Sequence, residues 1–349
     1  MPMRKTHMEI LGRIYSDRVD SLYETLRSLA GESPVFDHDI DLENCFAVID
    51  GQYHGNSHPP RVSLISEPDE ETVAHELLHG ILEYLKYPGW CESLRTYFTF
   101  PTAIAKEAAH CVLHNVIDTA LLRLGYAVQE SKADKAKKRT AFLAEMKPSP
   151  ADDNAEAWWS IRIAFEAAYH TAILPIDEQN KNAFRDQAFL KYPTSKTLTE
   201  KCVGIVAGMD VKDRPGVHRT ICDLLRACQD EPACHGFCQD MGKRTIIAPQ
   251  YFTRRQLDAP ARQAVTMEEW QSTVPGHKIL ALLRLPDQRL ISLADCDGAA
   301  DFRRESKYTK AALRGSLRGL LDHIDRKMYY QIDSRNAQES VGKITSLLG

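Results

Sequence analysis

The chain has no uninterrupted apolar run of the roughly 18 residues a membrane-spanning helix requires, so no transmembrane segment is expected. Its first residues, Met1-Pro2-Met3-Arg4-Lys5-Thr6-His7, lead into a mixed polar segment. They lack the apolar centre and small-residue cleavage site of an export signal, and the expected location is cytoplasmic. Neither sign of charge dominates. Lys and Arg number 44 against 48 Asp and Glu, a net charge of −4, so nothing global attracts the chain to nucleic acid or to a membrane surface. Tight C-x-x-C pairs are missing as well. The nine cysteines are an odd number without an export signal, which argues against a disulfide framework and for reduced thiols. Internal repeats and low-complexity tracts are also lacking.

What remains is a globular composition, 43% hydrophobic and 26% charged over 349 residues, long enough for two domains that each bury a core. The spacing of Ile10, Leu11, Ile14, Leu22, Leu26 and Leu29 predicts a helix from His7 to Ala30, ended by Gly31 and Pro34. Cys45 to Ile49 reads as a strand closed by Asp50-Gly51, Tyr53 to Pro60 as a loop, and Arg61 to Ile65 as a second strand. A helix follows. Ser66 can cap it, Asp69 stands three positions on, Pro68 suits the first turn, and Asp69, Glu70 and Glu71 favour the positive end of its dipole. It should run to Tyr84 or Leu85, before Pro88-Gly89. Another helix spans Pro101 to Leu124, up to Gly125. The charge-rich stretch 129–154 reads as a domain boundary or long connection. Ala155 to Leu174 is helical, with Trp158 and Trp159 expected in a core. After about 195, His218 to Cys228 reads as a helix, and His277 to Leu285 pairs with Arg289 to Leu293 as a hairpin around Pro286-Asp287-Gln288. A long basic helix runs from Ser306 to Tyr330. The expected class is α+β, divided into units 1–150 and 151–349.

The segment His75-Glu76-Leu77-Leu78-His79 carries chemistry. On a helix, His75 and His79 leave the same face and can fill two corners of a zinc tetrahedron. In an HExxH helix of this kind the glutamate, here Glu76, takes a proton from metal-activated water. A catalytic zinc needs a third protein ligand and an open position. The next helix offers Glu107, His110, His114 and Asp118, spaced three, four and four residues apart on one stripe. Any of the four could bind metal. An aspartate beside a ligating histidine can also accept its second ring N–H and fix its tautomer.

With HExxH followed by His114-Asn115-Val116-Ile117-Asp118, residues 45–125 resemble the zincin superfamily of zinc metallopeptidases, in particular its gluzincin-type members. There a second helix supplies the third ligand, and an aspartate four residues later braces the first histidine of the motif. The resemblance implies His114 as ligand and Asp118 as bracing group, with histidine standing where the family usually has glutamate. It also implies a small sheet against the metal helices, with the strand Arg61 to Ile65 beside the cleft and able to pair with an extended substrate. The implied activity is hydrolysis of a peptide bond in a protein or peptide, with Zn2+ as cofactor and Glu76 as general base. Candidate donors to the developing oxyanion are Tyr169 and His170, then His54 and His58. The competing readings are a regulatory or binding protein whose zinc site is structural, and a zinc hydrolase of a non-peptide amide.

The second unit carries Cys222, Cys228, Cys234 and Cys238, with Cys202, His218 and His235 nearby. Their spacing departs from paired zinc-ribbon knuckles, so reduced structural cysteines are expected ahead of a metal site. Lys307, Lys310, Arg314 and Arg318 are interleaved with apolar residues without an aromatic platform, which reads as a solvated helix face rather than a nucleic-acid surface.

Overall fold

The computed structural model describes residues 9–38, 51–55, 57–65, 67–91, 99–146, 153–234, 238, 245–272, 274–285, 289–324 and 330–332. Among these, eleven helices and five small sheets make the protein α+β.

The first helix starts later than its apolar spacing suggests. β1 (Glu9–Ile10) and β2 (Arg13–Ile14) pair antiparallel around Leu11 and Gly12, both at positive φ, and α1 runs over Asp17–Ala30. Ser16 sets its start by accepting the Arg18 N–H, and Asp17 and Asp20 suit the helix dipole. Leu11 and Ile14 are exposed, so their spacing marks no core face. Gly31 closes α1 at φ 78°, a left-handed cap that favours glycine.

Next come β3 (Val35–His38), β4 (Gly51–His54) and β5 (Arg61–Leu64). β5 is central, parallel to β3 and antiparallel to β4. This corrects two expectations. The start of the supposed Tyr53–Pro60 loop is strand. β5 has neighbours on both sides, so its backbone is already paired, and among the described residues β4 is an edge strand that meets α2. The strand expected at Cys45 to Ile49 lies outside the described residues.

α2 (Glu70–Tyr84) is capped by Asp69, whose side chain accepts the Thr72 N–H; Ser66 lies outside the described residues. After β6 (Gly89–Cys91) come α3 (Thr99–Arg123), α4 (Val128–Glu145), α5 (Asp153–Thr171), α6 (Glu178–Lys191), α7 (Ser195–Ala207) and α8 (Arg214–Gln229). α4 lies where the charge run suggested a connection. Val128, Lys132, Ala133, Ala136 and Leu143 are buried along it, Arg139 is half-buried against Glu166, and the other charges face solvent. One apolar core joins Leu22 and Leu26 of α1, Leu77 and Ile81 of α2 and Ile117 of α3 to side chains of α5, α7 and α8, among them Ile161, Phe165, Leu198 and Ile221. That core passes across position 150. Trp158 packs against it, and Trp159 stacks on Tyr192 in a smaller cluster.

The remaining elements are β7 (Ile246–Ala248), β8 (Gln250–Phe252), α9 (Arg254–Asp258), β9 (Val265–Gln271), β10 (His277–Arg284), β11 (Arg289–Asp297), α10 (Gly298–Ala312), α11 (Leu317–Ile324) and β12 (Tyr330–Ile332). The expected hairpin is β10–β11, extended by β9 into an antiparallel sheet. β6 pairs with β7, tying the segment after α2 to the one after α8. Arg214 donates to the Leu85 carbonyl at 2.7 Å and Tyr87 to that of Val211 at 3.0 Å, which anchors the end of α2. The long basic helix is two helices. Gly315 and Ser316 interrupt it, and Ser316 Oγ accepts the Gly319 N–H at 3.1 Å at the new start. Among the described residues, no helix is long and apolar enough to cross a membrane.

Candidate metal centre

α2 is fixed at its N-terminal end before it presents any functional group. Glu70 accepts hydrogen bonds from Ser16 Oγ at 2.6 Å and the Tyr126 hydroxyl at 2.9 Å, and pairs with Arg18 at 2.8 Å. Burial alone would raise its carboxyl, but these partners hold it below the ordinary value. One face of α2 is buried through Val73, Leu77 and Ile81. Gly80 is the point of closest approach. A Cβ there would lie 2.8 Å from Tyr53 Cε2 and 2.9 Å from Leu26 Cδ2, so the missing side chain lets β4 and α1 close onto the helix.

With α2 held this way, His75 and His79 face α3, where His114 meets them. Ring centroids lie 4.9 Å apart for His75–His79, 4.9 Å for His75–His114 and 5.2 Å for His79–His114. One nitrogen from each ring falls within 4.8 Å of the others, and all three residues keep partial exposure. Burial drives the His75 and His114 pKa values well below the usual histidine range, and that of His79 to about 3. Burial therefore favours the neutral ring in all three, the state with a free lone pair that metal ligation needs.

The rest of the α3 stripe is sorted by the same geometry. His110 stacks on His114, centroids 5.2 Å apart and planes 14° apart, and its charge environment includes Glu107 and Arg162. Neither His110 nor Glu107 joins the close group. Asp118, one turn beyond His114, pairs with Lys132 Nζ at 3.4 Å and accepts a hydrogen bond from the Tyr169 hydroxyl.

Glu76 is 7% exposed. Its Oε2 accepts the Tyr53 main-chain N–H of β4 at 2.7 Å. Burial raises its carboxyl to about 7, against the opposing pull of that hydrogen bond and of Lys135. A carboxylate in that range can both accept and release a proton near neutrality.

The proposed oxyanion donors are placed in different surroundings. Tyr169 of α5 stands edge-on to His114, centroids 5.9 Å apart, with its hydroxyl on Asp118. His170 is buried between Tyr169 and Phe184, and burial lowers its pKa to about 3. His54 Nε2 lies 2.6 Å from Ser63 Oγ, which donates to Asp37. His58 is exposed, 3.6 Å from Glu32.

Cys202, Cys222, Cys228, Cys234 and Cys238 are buried thiols outside any disulfide. His218 donates from Nε2 to the Ile247 carbonyl at 3.2 Å and turns Nδ1 toward Cys222 Sγ at 3.8 Å. Among the described residues, the three histidines are the one group of His, Cys, Asp or Glu close enough to hold a metal ion; His235 lies outside them.

Two participants escaped the sequence reading. Tyr53 acts through its backbone, which leaves no side-chain signal. Lys132 left a signal, since it shares the spacing of Val128, Ala136 and Leu143, but the surrounding charges concealed it. No family model matches the chain, and no curated protein or solved structure is found to match it.

Proposed function

We propose that the protein is a zinc-dependent endopeptidase in which His75, His79 and His114 hold the metal and Glu76 is the general base. The observation that carries this reading is the convergence of one imidazole nitrogen from each of three histidines on two helices, with a buried carboxylate one residue from the first of them. The donor set suits zinc. Three nitrogen ligands, with no fourth protein ligand among the described residues, match a hydrolytic site with an open position, whereas structural zinc sites are usually closed by four. The HExxH helix backed by a second ligand helix is the arrangement on which the likeness to zincins rests.

Bound zinc would supply Lewis acidity and lower the pKa of coordinated water. Glu76 takes the proton from the attacking water and delivers it to the leaving amine. Tyr53 orients Glu76 by holding Oε2, which leaves Oε1 for the proton. β4 borders β5 on one side and meets α2 through Tyr53, so an extended peptide laid along that edge would run past Glu76.

The test is metal analysis of the purified protein together with hydrolysis of an unfolded protein such as casein. Zinc at about one equivalent, lost in His75→Ala, and cleavage abolished in Glu76→Gln with the metal retained, are the expected results. Cleavage by Glu76→Gln at the parent rate would overturn the reading.

A further inference from the structure

Lys132 is 1% exposed, among the most deeply buried large side chains in the protein. It sits on the face of α4 that is otherwise Val128, Ala133, Ala136 and Leu143. Its ammonium group lies 3.4 Å from Asp118 Oδ2 and 4.3 Å above the centroid of the Tyr169 ring. Neither Nζ nor Oδ2 has a hydrogen bond of good geometry, so the pair is held by charge and by the aromatic face.

Packing does not account for this lysine. Removing two charges from water costs several kcal/mol each, and exchanging a buried ion pair for apolar side chains is often neutral or stabilising. A methionine would fill the same space on the same apolar face. The arrangement around the pair points elsewhere. Asp118 is one turn from His114 on α3, Tyr169 gives Asp118 its hydroxyl and sets its ring edge-on against His114, and Lys132 touches both Asp118 and Tyr169. Three helices meet behind one ligand.

We propose that Lys132 is a positioning residue for the metal centre, clamping Asp118 and the Tyr169 ring so that His114 is held in its ligating orientation. This rests on the metal-site reading above. Lys132 acts through the other two: its charge keeps Asp118 turned toward the Tyr169 hydroxyl, and that hydroxyl fixes the ring that backs the imidazole. Partners behind a ligand commonly govern metal affinity by roughly 10–100-fold.

The experiment uses the full chain and Zn2+ alone, with affinity read by competition against a chromophoric chelator. Lys132→Met and Tyr169→Phe should each weaken Zn2+ binding by roughly 10–100-fold, and the double variant should lose little more than the worse single one, because both break the same clamp. Co2+ bound to each variant should show altered visible absorption bands, a change that general loosening of the fold would not produce. Thermal unfolding of the metal-free proteins separates ligand positioning from folding. If Lys132→Met fails to fold, Tyr169→Phe, which removes one hydroxyl, decides the matter by affinity and Co2+ spectrum. Parent-like affinity and spectrum in folded variants, or losses that simply add, would overturn the proposal. A parent protein that binds no Zn2+ overturns the metal reading and this proposal with it. A parent that binds Zn2+ and loses it in His114→Ala, beside unaffected Lys132 and Tyr169 variants, overturns this proposal alone.

Discussion

Tyr53 meets α2 twice: its main-chain N–H donates to Glu76 Oε2 at 2.7 Å, and its ring occupies the space where a side chain at Gly80 would stand. The residue that orients the proposed base is thus seated by the absence of a side chain one turn further along the same helix.

Gly80→Ala tests that seating. Alanine favours a helix over glycine by about 1 kcal/mol. Here its Cβ would press on Tyr53 and Leu26, and overpacking of this kind costs about 1–3 kcal/mol. Urea denaturation should show a net loss of up to about 2 kcal/mol, with a fall in any hydrolytic rate as Tyr53 is displaced. A variant more stable than the parent would refute the close approach.

Glu76→Gln separates the base from the scaffold. The amide oxygen can still accept the Tyr53 N–H, so the fold and the Zn2+ content should persist. Loss of general-base catalysis should lower the rate by roughly 10²–10⁴-fold. Metal analysis and casein hydrolysis on the same preparation provide both readings.

The third ligand is decided by comparing His114→Ala with Glu107→Ala. Zinc should be lost from the first and kept by the second, because His114 belongs to the close group and Glu107 does not. Zinc should also protect the parent thermally. At a free concentration near 100 times Kd the gain is about 2.7 kcal/mol, and it should vanish with a chelator and in His114→Ala.

Acid should destabilise the metal-free protein through histidines outside the ligand set. Burial lowers His170 and His218 to about 3. In the unfolded chain both would titrate near 6.5. Their depressed folded values add stability that is complete above about 6.5 and lost as the pH falls toward 3, since the unfolded chain then binds protons the native one refuses. Each should tilt stability by about 1.4 kcal/mol per pH unit inside that window. Chemical denaturation at pH 7, 6 and 5 should show the decline, and His218→Gln should reduce its slope. A flat profile in the parent would contradict the neutral burial of these rings.

Much of this architecture was legible where local rules and tertiary packing agree. The α2 boundaries follow from its acidic start and Pro88-Gly89, and the β10–β11 hairpin from its apolar runs. The site was half legible: helical spacing placed His75 with His79 and offered His114, but only the packing of α3 on α2 brings His114 to them and leaves His110 stacked outside. Misreadings arose where tertiary packing or a local cap overrode the visible pattern. Ser16 starts α1 after a hairpin that apolar spacing alone cannot reveal, Ser316 restarts a helix that basic composition made look continuous, and Lys132 turns inward among charges that face water. Asp118 illustrates the limit most clearly. The likeness to zincins implied a brace for His75, whereas the partners Asp118 shows, Lys132 and Tyr169, come from two helices more distant in the chain.

The apolar core that crosses position 150 has a practical consequence for dissecting the protein. Tyr169 stands behind His114, and α5 and α8 complete the packing around α3. A fragment ending at 150 would keep every proposed ligand and the base while exposing the flank of the helix that carries His114. Such a piece is expected to aggregate or to bind zinc poorly, so residues 1–150 are not expected to fold as an autonomous module.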